Sequence, residues 1–173
     1  SLQQQATDSS TAVVSEYYAL MGRLLTSSKG SVDELKSVAM DPDTTKMFDG
    51  LSSSALAGSP VLSDATDEVT AARAARWKGS GQESVTNTAV TNWAAPADSS
   101  GVPTSGTAFV EIRVCVDSSD FKPLLPNGKP AYDSNRRPLH LQKFLVLNPA
   151  WPDKNGWRLA TQSVKGETPC TAA

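Results

Sequence analysis

The stretch that decides the fold is Thr107-Ala108-Phe109-Val110-Glu111-Ile112-Arg113-Val114-Cys115-Val116-Asp117. Its even-numbered residues Ala108, Val110, Ile112, Val114 and Val116 are apolar, whereas Thr107, Glu111, Arg113 and Asp117 at odd positions are polar. A period of two is what a strand with one buried face requires, because successive side chains point to opposite sides of a sheet. Cys115 falls on the odd face beside Arg113 and Asp117, where it can meet another segment instead of filling the core. The second cysteine, Cys170, stands in a proline-flanked tail. The two could be free thiols, but buried structural thiols seldom choose such a tail, so the residues favour a disulfide and an oxidising compartment. An export signal would then have been removed, with Ser1-Leu2-Gln3-Gln4-Gln5 reading as a flexible start.

Working back toward the N-terminus, Pro96 to Gly106 is rich in glycine, proline and serine and reads as a long hairpin connection. Val85 to Trp93 alternates weakly and suits an exposed strand. Asp64 to Trp77 fits a helix through Val69, Ala72, Ala75 and Arg76, though a strand is the alternative. Ser52 to Pro60 is small and polar, as loops are. Val13, Val14, Tyr17, Leu20, Met21, Leu24 and Leu25 recur at helical spacing, which predicts an amphipathic helix over 9–27 after a flexible lead-in of residues 1–8. Ser31-Val32-Asp33-Glu34 has the form of a capping box for a short second helix. Asp41-Pro42 interrupts it, and Asp43 caps a third segment carrying Met47, Phe48 and Leu51.

Working forward, residues 117–138 contain Pro123, Pro126, Asn127-Gly128 and Pro130, an irregular excursion with a tight turn at its tip. The chain then re-enters the sheet with Leu139, Leu141, Leu145 and Leu147 on one face and His140, Gln142 and Asn148 on the other. A turn-rich stretch from Asn148 to Gly156 leads to a last strand from Trp157 to Gln162. Helices first and antiparallel strands after them define an α+β domain spanning residues 9–173.

Several function classes drop out on composition. No apolar run is long enough to span a membrane as a helix, and a net charge of −2 gives no reason to expect nucleic acid. A single histidine, His140, excludes multi-histidine metal sites and reads as a surface residue before a catalytic base. Asp117-Ser118-Ser119-Asp120 lacks the glycine and distal glutamate of a calcium loop and reads as turn capping. Glu111, Asp117, Asp120 and Asp133 could supply paired acids, but sequence sets no separation between them. No nucleophile elbow, phosphate loop or zinc-helix motif occurs. Trp77, Trp93, Trp151 and Trp157 can line a sugar-binding surface, with at least two of them in the core. No catalytic residue, metal or cofactor is therefore assigned.

The charge is unevenly spread. Residues 1–70 hold ten acids against four bases, and residues 121–165 hold eight bases against two acids. Either the two halves neutralise each other across the fold, or Lys122, Lys129, Arg136, Arg137 and Lys143 present an anion-facing surface.

The run Val114-Cys115-Val116-Asp117-Ser118-Ser119, then Asn127-Gly128-Lys129-Pro130, Arg136-Arg137, Gly156-Trp157-Arg158-Leu159 and Pro169-Cys170 resembles a group of secreted proteins and lipoproteins of actinobacteria with the NTF2-like, or SnoaL-like, fold. The resemblance covers the chain from about residue 10 onward and rests chiefly on Cys115 to Cys170. It implies N-terminal helices packed on a curved antiparallel sheet, a Cys115–Cys170 disulfide, and export, either secreted or lipid-anchored through a removed N-terminal segment. It carries over no catalytic residue. The expectation is an exported, non-enzymatic accessory or binding domain of the cell envelope, meeting an anionic envelope polymer, lipid head groups or a small apolar ligand. The alternatives are an enzyme acting on a small apolar or cyclic substrate in the cone, or a subunit of an envelope machine pairing through its sheet.

Overall fold

A computed structural model describes residues 1–45, 50–133, 136, 138–164 and 170. The first element is a helix, α1 (Leu2–Thr26), capped by the Ser1 hydroxyl, which accepts from Gln4 N at 3.2 Å. It starts seven residues before the predicted boundary. The expected flexible lead-in is thus helical, for glutamine and alanine are good helix formers and Ala6 is buried in the core. Gly22 lets the helix approach the chain at Gly81-Gln82, where a Cβ would stand 2.6 Å from Gln82 Cβ. The predicted capping box forms at Ser31 and Glu34 and opens a 3-10 helix over Val32–Ser37. Of the expected third segment, Met47 and Phe48 lie outside the described residues, while Leu51 is buried. A single helical turn, α2 (Ser53–Leu56), replaces the expected loop, and β1 (Ser59–Pro60) leads into α3 (Val61–Ala74). The helical reading of that stretch is the right one. Arg73 of α3 reaches the end of α1, donating to Gly30 O at 2.6 Å and Lys29 O at 2.7 Å. It thereby satisfies carbonyls that a helix end and its turn leave open.

Strands follow: β2 (Lys78–Ser80), β3 (Ser84–Ala94), β4 (Gly106–Asp117), β5 (Lys122–Leu124), β6 (Leu139–Trp151) and β7 (Arg158–Val164). Four of them join β1 in one antiparallel sheet in the order β1-β7-β6-β4-β3, and β2 pairs with β5 in a separate ribbon. The chain is therefore an α+β fold with N-terminal helices packed on a five-stranded antiparallel sheet, consistent with an NTF2-like arrangement.

The register of β4 places Val110 opposite Val146 and Ile112 opposite Phe144. Its even residues Ala108, Val110, Ile112, Val114 and Val116 are all 0 % exposed and share one core with Val14, Tyr17, Leu20 and Leu24 of α1. Burial of a valine or isoleucine stabilises the fold by about 1.5 to 3 kcal/mol each. The odd face is buried too, which its polar residues did not foretell. Phe109, Leu145, Leu147 and Ala160 pack beneath Leu51, Ala55 and Leu56, so residues 51–56 cover the side of the sheet opposite α1. For the same reason the leucine face of β6 is not the helix-facing one. Phe144 and Val146 meet α1, and Leu145 and Leu147 turn to the other side.

Cys115 is bonded to Cys170, with 5.6 Å between their Cα atoms. A bridge closing 55 residues stabilises by about 4 kcal/mol on the chain-entropy account.

Val114→Asp should lower the melting temperature by roughly 10 °C or abolish folding, since it buries an unpaired carboxylate. Arg113→Ser, at the one exposed position between Ala108 and Val116, should change it little. Equal effects would mean that the faces are misassigned. Cys115→Ser should also melt well below the parent. The oxidised parent should weigh two hydrogens less than its reduced form, and equal masses would rule the bridge out.

Candidate functional site

The excursion between β4 and β6 is built by turn chemistry. Asp117 accepts from Ser119 N at 2.9 Å, and the hydroxyl and amide of Ser119 hold the Asp117 carboxyl below the usual carboxylate range. The chain then runs through β5, whose partner β2 needs Gly79, at φ 127°, because a side chain there would collide with the Lys122 carbonyl. Asn127-Gly128 makes the tip, with Leu125 N donating to Lys129 O at 2.8 Å and Gly128 at φ 84°. The return limb pairs Pro130 with Leu124, and Ala131 N donates to Pro123 O at 3.0 Å. Ser118 N donates to Pro138 O at 2.7 Å and closes the base.

A cleft of about 410 Å³ opens within this excursion. Leu124, Pro130, Tyr132, Phe121, Pro123 and Pro138 give it an apolar lining, and Lys122, Asp133, Arg136, Ser118 and Ser119 supply its polar groups. Tyr132 fixes its shape. The phenol donates to Glu68 of α3, the ring meets Trp77 edge-on at 5.3 Å and Phe121 at 5.9 Å, and the Arg136 guanidinium lies 4.1 Å from the ring centre. Burial, the Glu68 charge and the bond to Glu68 all raise the Tyr132 pKa, so the phenol stays a neutral donor. Arg136 in turn pairs with Glu83 at 3.2 Å, and Glu83 also accepts from Ser118 Oγ at 3.0 Å.

The space between α1 and the sheet is filled. Tyr17, Tyr18 and Phe144 pack edge to face with centroids 5.1 to 6.1 Å apart. The void beside them, next to Glu68, Glu83 and Phe121, is about 40 Å³, room for a water or two. Burial raises the pKa of both phenols.

Of the five basic residues singled out in the sequence, Lys122 and Arg136 line the cleft. Lys129 sits at the hairpin tip, where its backbone holds the turn. Lys143 stands apart on β6, paired with Glu111 at 3.5 Å. Arg137 lies outside the described residues. Glu111 is 2 % exposed and also accepts from Ser52 at 2.8 Å and Asn92 at 2.6 Å, so this carboxylate holds residues 50–56 on the sheet. The ammonium groups of Lys122 and Lys129 have no ion-pair partner among the described residues. No group of three or more metal-binding side chains occurs among them either.

Sequence reading passed over Tyr132, Phe121, Glu68 and Glu83, and singled out Trp77 only as one of four tryptophans that can line a sugar-binding surface. A signal was present: pairing about an Asn-Gly tip puts residues 122, 124, 130 and 132 on one side of a hairpin. Trp151 and Trp157 are core residues, as two tryptophans were expected to be, and Trp77 and Trp93 are partly buried. The chain matches no protein-family model, no curated protein and no solved structure.

His140 lies on β6, within the influence of the Glu83 and Arg136 charges. Burial, the largest influence, lowers its pKa below 6.5, and Glu83 and Arg136 act on it in opposite directions. An imidazole that is harder to protonate when folded contributes its full stability above the unfolded value and loses it as pH falls toward the folded one. The melting temperature should therefore drop as pH falls below about 7, and His140→Gln should drop less. Parallel curves for the two proteins would clear His140 of any part in the pH response.

Proposed function

We propose that this chain is an exported, non-enzymatic binding domain of the cell envelope whose site is the cleft in the 118–138 excursion, not the space under α1. The observation that carries the reading is the contrast between two volumes. The space under the helix holds a void of about 40 Å³, whereas the cleft, at about 410 Å³, falls within the range of small-molecule pockets, about 300 to 1,000 Å³. The packing of Tyr17, Tyr18 and Phe144 supports binding over turnover, because a substrate under α1 would have to displace them.

Export is supported by the Cys115–Cys170 bridge, since disulfides persist in oxidising compartments. Among the described residues, no helix is long and apolar enough to cross a membrane. The likeness of the Cys115 to Cys170 segment to NTF2-like secreted proteins and lipoproteins of actinobacteria points the same way. An envelope setting also suits Lys122 and Lys129, which carry their charges on the excursion without an ion-pair partner among the described residues.

The test is titration with a neutral apolar dye, N-phenyl-1-naphthylamine, followed by fluorescence. The parent should bind it saturably. Leu124→Arg, which places a charge on the cleft floor, should weaken binding about tenfold or more with little change in melting temperature. An equal response from both proteins, or none from either, would overturn the cleft as the binding site.

A further inference from the structure

We infer that the cleft takes a single-chain amphiphile, a hydrocarbon body with one anionic head, seated with its chain on Leu124, Pro130 and Tyr132 and its head at Lys122. The inference rests on the cleft being the binding site and names the chemistry it selects. The decisive feature is how few hydrogen bonds the lining can offer. Pro123, Pro130 and Pro138 have no N–H to give, and the amides of Leu125 and Ala131 are spent within the hairpin. The Tyr132 phenol donates to Glu68 and the Ser118 hydroxyl to Glu83. A sugar or an extended peptide buried there would leave its own polar groups unsatisfied, at about 1 to 3 kcal/mol for each. A hydrocarbon chain loses nothing.

Charge selects the head. Glu83 lies under the Arg136 guanidinium and is paired with it, and Asp133 on the rim is engaged within the chain. Lys122 is the remaining rim charge, without an ion-pair partner among the described residues. On β5 it pairs with Ser80 of β2 and lies diagonal to Lys78, a second exposed ammonium, so its side chain stands on the same face of the ribbon as Leu124, opposite the buried Pro123. A cationic head would meet repulsion from both lysines, and an anionic one attraction.

Isothermal titration with decanoate, 1-decanol and decylammonium, below their solubility limits and at low salt, reads this selection. Decanoate should bind roughly fivefold more tightly than decanol, the value of one exposed charge pair. Decylammonium should be the weakest, and the spread should shrink in high salt. Lys122→Met should erase the preference for decanoate and Lys122→Glu should reverse it, while Lys129→Glu, at the tip outside the lining, should keep most of it. Equal affinities for all three in the parent, or equal loss in the Lys122 and Lys129 variants, overturn the head assignment. If the neutral dye binds and no amphiphile does, the inference fails and the cleft stands. If neither binds, both fail.

Discussion

Strand β4 is buried on both faces, and much of the structure answers to that constraint. A half-buried strand can carry charges on its outer side at no cost. Once residues 51–56 lie across that side, Glu111 becomes a carboxylate in the interior, and desolvation of such a group costs several kcal/mol unless it is met by donors. Ser52, Asn92 and Lys143 meet it from three different segments. The cluster adds little net stability, because pairing roughly offsets desolvation, but it admits only one placement of the covering segment. Hydrophobic packing of Leu51, Ala55 and Leu56 supplies the adhesion, and Glu111 supplies the position.

The excursion is organised on the same logic by an aromatic residue instead of a carboxylate. Tyr132 is held from α3, from the chain before β2, from the residue before β5 and from Arg136. Four contacts from four places hold its ring in position beside the β2–β5 ribbon that carries Leu124. Arg136 is spent on this work, and so is Glu83. Of the acids in residues 1–70, Glu68 reaches this point through the Tyr132 phenol, but no ion pair between described residues joins residues 1–70 to residues 121–165. Lys122 and Lys129 take part in none of those pairs.

The legibility of the chain followed the range of its interactions. The even face of β4, the capping box at Ser31 and the Asn-Gly tip are local patterns, and each was readable. The leucine pattern of β6 was legible, but not which face meets the helix: Leu145 and Leu147 alternate with Phe144 and Val146, and alternation cannot say which set packs on α1. Residues 1–8 read as a lead-in because glutamines carry no periodic apolar signal, although they favour the helix. The cleft was out of reach for another reason. The Tyr132 bond to Glu68 joins residues 64 positions apart, and the β2 pairing with β5 joins two three-residue strands with no patterning of their own. Charge could be counted in advance, but partners could not. Lys143 belonged to Glu111 on another side of the sheet, and nothing in its neighbours said so.

The disulfide has a mechanical consequence. Cys115 lies near the end of β4, an inner strand bordered by β3 and β6, and Cys170 follows β7 in the chain. Tension applied beyond Cys170 is therefore delivered through the sulfurs to β4. It cannot peel β7 and then β6 away one hydrogen bond at a time. To yield, the sheet must slide β4 against two neighbours at once, loading many ladder bonds in parallel. Reduction of that single bond would change the failure from shearing to unzipping, and with it the force that the domain can bear when pulled from its C-terminal side.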